Sequence, residues 1–300
     1  SKYDNGLIRI KKPLEVNYTT ISKKIQDTIR YLTFLIDNFF RKDLEDDKSK
    51  NNFISRQILI LQNKSDQFAR ISSSNSNVKQ FKSLTERMKD SFFEITLPST
   101  PIKSNPKNAF KDSATQFRNF LIAHLFINYG LRAGELLLLS INSKSLDRDS
   151  GNTSLTVGDT QDIEDYRSPK PRIKNEQSKR RIEISRDDYN LISHYIKKCR
   201  PENAKSDLLF LSSQYPFSPL SYSSIKKMFN IWDKQLREFH PNYYDSKYTD
   251  SIDKLSAHVC RHTWATLMLE YAYITAMNSS SSHEIAISQA IESLKKAGGW

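Results

Sequence analysis

Gly130-Leu131-Arg132-Ala133-Gly134-Glu135-Leu136 follows a long apolar helical pattern and leads into the run Leu137-Leu138-Leu139. Before it, over about 113–129, Phe117, Leu121 and Leu125 share one helical face. Gly130 suits the left-handed residue just past a helix end. A short helix should begin near Arg132, which places free amide groups and a positive helix end close to that side chain. The stretch therefore sets an arginine at a glycine turn between two buried helical segments. A guanidinium keeps its charge in a protein and presents a planar fork of donors that matches a phosphate. Taken alone, Arg132 reads as a structural charge bridged to Glu135, three residues on.

The rest of the chain adds a polyanionic partner. Its 300 residues suffice for about two domains, and 37% hydrophobic residues with 16 Phe and 14 Tyr argue against disorder. A net charge of +12 and a pI near 9.5 leave nucleic acid or an anionic membrane surface as candidates. No uncharged apolar run approaches the roughly 18 residues of a membrane-spanning helix, and no signal-peptide pattern opens the chain, so nucleic acid is the favoured partner and no membrane is expected. Cys199 and Cys260 form neither a disulfide framework nor a CxxC pair, which points to a reducing cytoplasm. None of the seven glycines builds a phosphate-binding loop for ATP, and no cofactor is expected. The chain opens without Met and stops at Gly298-Gly299-Trp300, so it reads as a fragment.

Taken in order, Ile21, Ile25, Leu32, Ile36 and Phe39 recur at helical spacing over 19–40, and 43–50 is a charged break. A second helical run carries Phe53, Ile54, Ile58, Leu61 and Phe68 and ends before Ser72-Ser73-Ser74; a third carries Val78, Phe81, Met88 and Phe92. These read as core stripes of a small helical domain, residues 1–97, which with a second domain on a flexible basic tether can close around a duplex. Lys23, Lys24, Lys79 and Lys82 on its outer faces are either phosphate contacts or a solvated surface. Residues 98–107, with three prolines, are the expected linker, and 108–300 a second domain. There, 154–157 and 181–184 read as strands with a long polar, basic excursion between them, containing Lys170, Arg172 and Lys174. Asp187 or Asp188 should cap the next helix, and Leu208–Leu211 is a buried strand or packed extended segment. Ser221 begins a helix with Ile225, Met228, Trp232 and Leu236. Later come a polar loop at 240–255, a helix over 257–272, and a last helix from a Ser281–Glu284 capping box through Ile287, Ile291 and Leu294. The fold class is mainly α with a small β-hairpin or sheet, α+β.

His258-Val259-Cys260-Arg261-His262 opens the 257–272 helix. His258 and His262 at i and i+4 resemble a zinc pair, but the intervening Glu of a zinc-protease motif and a third ligand are missing, so no metal is expected. Helix-start packing is one remaining reading. The other pairs His258 and Arg261 one turn apart on one face, a proton-transferring imidazole beside a fixed cation. That pairing suits phosphoryl transfer, whose transition state loads charge onto the non-bridging oxygens.

Gly130-Leu131-Arg132 with Glu135-Leu136, then Lys174 with Ser178, Arg180 and Ile182, then His258 through Thr266 resemble the tyrosine recombinase (phage integrase) family in order, spacing and setting. The likeness covers about 108–300 and is only architectural over 1–100. It implies a site-specific DNA recombinase or integrase of a mobile element, bacterial or phage, that acts in the DNA-associated cytoplasm through a 3′-phosphotyrosyl intermediate, as a tetramer in synapsis, without metal or ATP. It implies that Arg132 and Arg261 hold the scissile phosphate, that Lys174 protonates the departing 5′ oxygen, and that His258 exchanges a proton with the nucleophile. Lys170 or Lys179 remain alternatives for the acid. Glu135 would buttress the site through the arginine or the histidine, Trp300 would pack on and hydrogen-bond the phosphate, and His262 would order the helix start; the partner of all these groups would be double-stranded DNA. Lys170, Arg172, Lys179 and Arg180 would contact DNA. The family's tyrosine belongs after Trp300. Tyr271 and Tyr273 fall too early and read as core, so this chain has no assigned nucleophile, and a missing tail is expected. A catalytically silent DNA-binding regulator and a type IB topoisomerase relative are the rival readings.

Overall fold

Helix α4 (Ser113–Tyr129) is the centre of the larger unit, because it is apolar nearly all round. Leu121, Ile122, Ala123, Leu125, Phe126 and Ile127 are all buried, a wider contact than the single face Phe117, Leu121 and Leu125. Asp112 caps its start through the Thr115 amide at 2.7 Å, and Gly130 ends it at φ 57°. The computed structural model describes residues 18–40, 48–74, 82–158, 165–174, 176–248, 250–279 and 282–300.

The chain divides into compact units at 1–80 and 81–300. The first contains helices α1 (Tyr18–Leu35), continued by a π-helical turn Ile36–Phe40, and α2 (Lys48–Ser74), which pack on each other. Here the sequence expectation fails. The stripes were to be core, yet among the described residues of this unit no side chain is buried, and Phe39 and Phe53 are largely exposed. Two helices have only one shared seam, too little to enclose residues of this size. Helix α2 also begins at Lys48, inside the expected break, and runs through the Ser72–Ser74 cluster. The side chains of Ile21 and Phe68, and residues Val78, Lys79 and Phe81, lie outside the described residues.

The third expected helix, α3 (Glu86–Thr96), packs on α4 and on α7 (Tyr222–Phe239) within the second unit. Its Phe92 is fully buried edge-on to Trp232, ring centroids 5.3 Å apart. The expected boundary at 98–107 thus falls inside this unit. The proline-rich stretch is tied down: Asn105 Nδ2 donates to the carbonyls of Glu94 and Leu97, both at 2.8 Å, and the Ser99 amide to Gln116 at 2.7 Å. Prolines remove donors and fix φ, but they do not untether a loop whose asparagines cap the helix before it.

After α4 come the short helix α5 (Ala133–Leu137) and an antiparallel sheet of β1 (Lys144–Leu146), β2 (Thr153–Val157) and β3 (Arg180–Glu183), in that order. Leu155 pairs with Ile182, and Leu155 and Val157 face the core. Strand β1, Lys-Ser-Leu, is too short to announce itself by alternation. Helix α6 (Arg186–His194) is capped by Ser185, whose hydroxyl takes the Asp188 amide at 3.0 Å. Neither expected aspartate caps it, because Asp188 is engaged elsewhere. Leu208–Leu211 is a packed extended segment with isolated bridges to Ser140 and Pro219. Helix α7 is N-capped by Ser221 and buries Ile225, Met228, Trp232 and Leu236 as expected.

Helices α8 (Ala257–Ser279) and α9 (His283–Gly298) pack together. Their seam is built from Ala272, Ala276, Ala286 and Ala290, which let the backbones approach closely, while Ile287 and Ile291 point outward. Size, not hydrophobicity, selected the inner face. Tyr271 is 68% exposed and Tyr273 half-buried against His283, so the expectation that both are core is corrected. Ser282 is the cap residue of α9; Ser281 lies outside the described residues. Among the described residues no helix is long and apolar enough to cross a membrane.

Candidate phosphate site

Two local features aim Arg132. Gly130 adopts φ 57°, and a Cβ there would meet the Trp264 ring at 2.2 Å, so the turn lies directly against α8. Gly134 lies so close to the basic excursion that a Cβ would meet the Arg172 carbonyl at 2.5 Å. Between them, Arg132 is the N-cap residue of α5. Its amide donates to Glu135 Oε2 at 2.9 Å and its Nη1 to Glu135 Oε1 at 2.6 Å. The bridge to Glu135 that Arg132 suggests by itself is real. It is also only one part of a larger cluster.

Glu135 is 1% exposed and takes a second guanidinium, with Arg180 Nη2 at 3.1 Å from Oε2. Burial works to raise its pKa, but Arg180 and then Arg132 outweigh it and hold the carboxyl below its ordinary range. Glu135 is therefore a charged strut between the α5 turn and the start of β3. Arg132 Nη1 also donates to Ser178 Oγ at 3.2 Å and to the Gly298 carbonyl at 3.4 Å, and Nη2 to the Gly299 carbonyl at 3.4 Å.

Arg261, from the first turns of α8, reaches the same place. It is 6% exposed and donates through Nη1 to the Gly130 carbonyl and through Nη2 to the Gly298 carbonyl at 2.7 Å. The Trp300 ring lies over its guanidinium at 4.9 Å. Burial, with the charges of Arg132 and Arg180, lowers its pKa to about 10 against the opposing pull of Glu135. Three guanidinium groups around one carboxylate carry uncompensated positive charge, and Arg180 Nε is buried with no acceptor among the described residues. Such a site favours an anion, since a phosphate would supply both the missing charge and the missing acceptors.

The structure thus brings together Arg132, Glu135, Arg261 and Trp300 from the sequence-predicted set. Arg180, read as a DNA contact, turns inward instead, its side chain 9% exposed, because a buried Glu135 needs a second partner. His258 is exposed one turn before Arg261 and shares a 2.8 Å Nε2–Nε2 hydrogen bond with His262. Burial, followed by His258 and Arg261, lowers the pKa of His262. Ser256 caps the helix start, with its Oγ and carbonyl taking the Val259 and Cys260 amides. Lys174 is exposed near the end of the excursion, and no hydrogen bond or ion pair ties it to the cluster among the described residues. Lys170 and Arg172 are exposed, and Lys179 pairs with Glu176 at 2.8 Å. Lys23 and Lys24 are exposed on α1, whereas Lys82 pairs with Asp253 at 3.4 Å. Among the described residues no group of three or more metal-ligating side chains occurs.

Sequence reasoning missed the Gly298 and Gly299 carbonyls, and it named Ser178 in the motif without a role for its hydroxyl. It also missed Arg167, which is buried in an ion pair with Asp165 at 2.6 Å and donates to the carbonyls of Leu137 and Leu220. Backbone acceptors leave no residue-type signal, but the Arg167–Asp165 spacing is visible in a stretch too polar to be core.

Known proteins bear on this arrangement. The profile of the phage integrase family matches residues 104–278, more than half of the chain, and spans both Arg132 and Arg261. No curated protein matches the sequence. Among solved structures, the Tn1549 transposon integrase in complex with circular intermediate DNA is similar at TM-score 0.50 and 13% identity, over 95% of this chain and 90% of that one. XerA recombinase is similar at 0.41 and 15%, over 93% and 86%. XerH site-specific recombinase bound to difH substrate is similar at 0.44 and 17%, over 68% and 49%, so this chain spans about half the length of the XerH chain. Because the family profile matches more than half of the chain, the chain belongs to the phage integrase family of tyrosine recombinases.

Proposed function

We propose that this chain serves a site-specific recombinase that cuts and rejoins double-stranded DNA through a 3′-phosphotyrosyl intermediate, as a tetramer in synapsis, by binding the DNA and activating the phosphate. The observation that carries this reading is the convergence of Arg132 and Arg261 on one point, the Gly298 carbonyl, around a buried Glu135. The two forks are pre-set by backbone acceptors and a carboxylate, so little reorganisation is needed when a scissile phosphate arrives.

In this reading a tyrosine hydroxyl gives its proton to His258 and attacks phosphorus. The phosphotyrosyl bond forms as the bond to the 5′ oxygen breaks, and Lys174 protonates that oxygen. Arg132 and Arg261 hold the non-bridging oxygens, and Trp300 covers the phosphate and donates its indole N–H. A 5′-hydroxyl attacking the phosphotyrosyl bond rejoins the strand and frees the tyrosine. Lys170, Arg172 and the exposed lysines of α1 contact the DNA backbone.

No tyrosine of this chain is assigned as nucleophile. Tyr271 is on the exposed side of α8 and Tyr273 is hydrogen-bonded to His283 at 2.7 Å. That placement supports a second reading, a DNA-binding protein that does not cut. The intact gene product, incubated with a nicked duplex carrying its site, separates the two. The proposal expects a covalent protein–DNA adduct at the 3′ phosphate; DNA binding with no adduct would favour the silent regulator.

A further inference from the structure

Outside the arginine cluster, His124, Tyr129 and Asp188 form a connected polar group that no step above uses. His124 Nε2 is 2.6 Å from Asp188 Oδ1, and the Tyr129 hydroxyl donates to Asp188 Oδ2. The Ser185 amide donates to that same hydroxyl at 3.3 Å. Asn128 Nδ2 lies 3.1 Å from His124 Nδ1 and 3.0 Å from Nε2; because an ionised carboxylate only accepts, Nε2 carries the proton given to Asp188. His124 is enclosed by the Phe93 and Phe120 rings, with centroids at 6.0 and 5.8 Å. The His124 and Asp188 side chains are only 19% and 15% exposed.

Proton chemistry is the wrong use for this group. Burial, reinforced by Asp188, pushes the Tyr129 phenol above its ordinary range, so it is a donor and a poor nucleophile. Burial opposes ionisation of Asp188, yet the hydrogen bonds from His124 and Tyr129 prevail and hold it at about 2. The position of the cluster in the chain is more informative. Tyr129 is three residues before Arg132, at the last residue of α4. Asp188 is eight residues after Arg180, just beyond β3 in the first turn of α6. These are the two segments whose other residues, Arg132–Glu135 and Ser178–Arg180, join across the phosphate site.

We infer that the His124–Asp188–Tyr129 cluster is a positioning clamp that fixes the α4–α5 turn against the β3–α6 segment and so sets Arg132 relative to Ser178 and Arg180. The inference rests on the reading of Arg132 as a phosphate ligand. A displacement of about 1 Å at such a site can cost on the order of a hundredfold in rate. Helix α5, with five residues, is too short to hold the turn by itself.

The test uses Tyr129→Phe and Asp188→Asn, with Leu236→Ala as a core truncation on α7 outside the clamp. In the 300-residue chain, side-chain NMR reads Arg132, whose Nη1 is pinned by Glu135 and whose guanidinium rotation should be slow. Both clamp variants should speed that rotation, and Leu236→Ala should leave it unchanged. In the intact gene product, adduct formation on a nicked duplex should slow on the order of tenfold to a hundredfold, with DNA affinity unchanged. Arg132 signals identical to wild type in both clamp variants, whatever their melting temperatures, would overturn the inference. A wild-type protein that forms no adduct sinks the recombinase reading instead, and the NMR result still decides the clamp.

Discussion

The two units hold positive charge in opposite ways. On α1, Lys23 and Lys24 stand exposed on a two-helix unit in which no described side chain is buried. In the second unit, Arg132, Arg180 and Arg261 are buried or nearly so, and each is tied to a carboxylate or to backbone carbonyls. Exposed lysines attract a polyanion by long-range field and counterion release, with little demand on geometry. A buried guanidinium is held in one geometry by its partners, so it can recognise one phosphate in one orientation. The comparison teaches that the fold of the second unit and its chemistry depend on the same residues, whereas in the first unit they are separable.

The largest effect that separates the two regions is expected at Glu135. Glu135→Ala strands Arg132 and Arg180 beside each other in a buried site, and breaking a buried pair costs about 3–5 kcal/mol. Denaturant unfolding of the second unit should show that loss; a change under 1 kcal/mol would mean the cluster is solvated like a surface patch. Next is Gly130→Ala. It forces a Cβ into the Trp264 ring and an L residue into a left-handed turn, together costing about 2–4 kcal/mol. A neutral result in the same measurement would show that the turn does not bear on α8. The smallest effect on stability belongs to the first unit. Lys23→Ala and Lys24→Ala should stay within about 0.5 kcal/mol of wild type, and each should lower the slope of log affinity against log salt by about 1. An unchanged slope would remove these lysines from the DNA contact.

Much of the site was legible in the sequence because chemistry needs side chains of particular types in order. Arg132, Glu135 and Arg261 could be chosen on their ordered likeness to the tyrosine recombinase family, and Gly130 on its place after an apolar helix. What stayed hidden was geometry. The carbonyls of Gly298 and Gly299 are acceptors on every residue, so nothing marks those two as the anchor of both arginines. Arg180 looked like another basic surface residue until a buried Glu135 claimed it. The fold shows the same division. Helix α7 was readable from its apolar spacing, but in α9 the inner face is alanine and the outer face carries Ile287 and Ile291. Periodicity finds a stripe without saying whether size or hydrophobicity decides which side is packed. In α1 and α2 the stripes are present, and a two-helix unit simply cannot enclose them.

The central claim is that Arg132 and Arg261 together hold a scissile phosphate. It is tested most directly by the rate of covalent adduct formation on a nicked duplex, compared between the intact gene product and its Arg132→Ala and Arg261→Ala variants at saturating DNA. The account predicts a loss of about 10²–10³-fold for each arginine, with DNA affinity altered far less. An adduct that forms at the wild-type rate in either variant would contradict it.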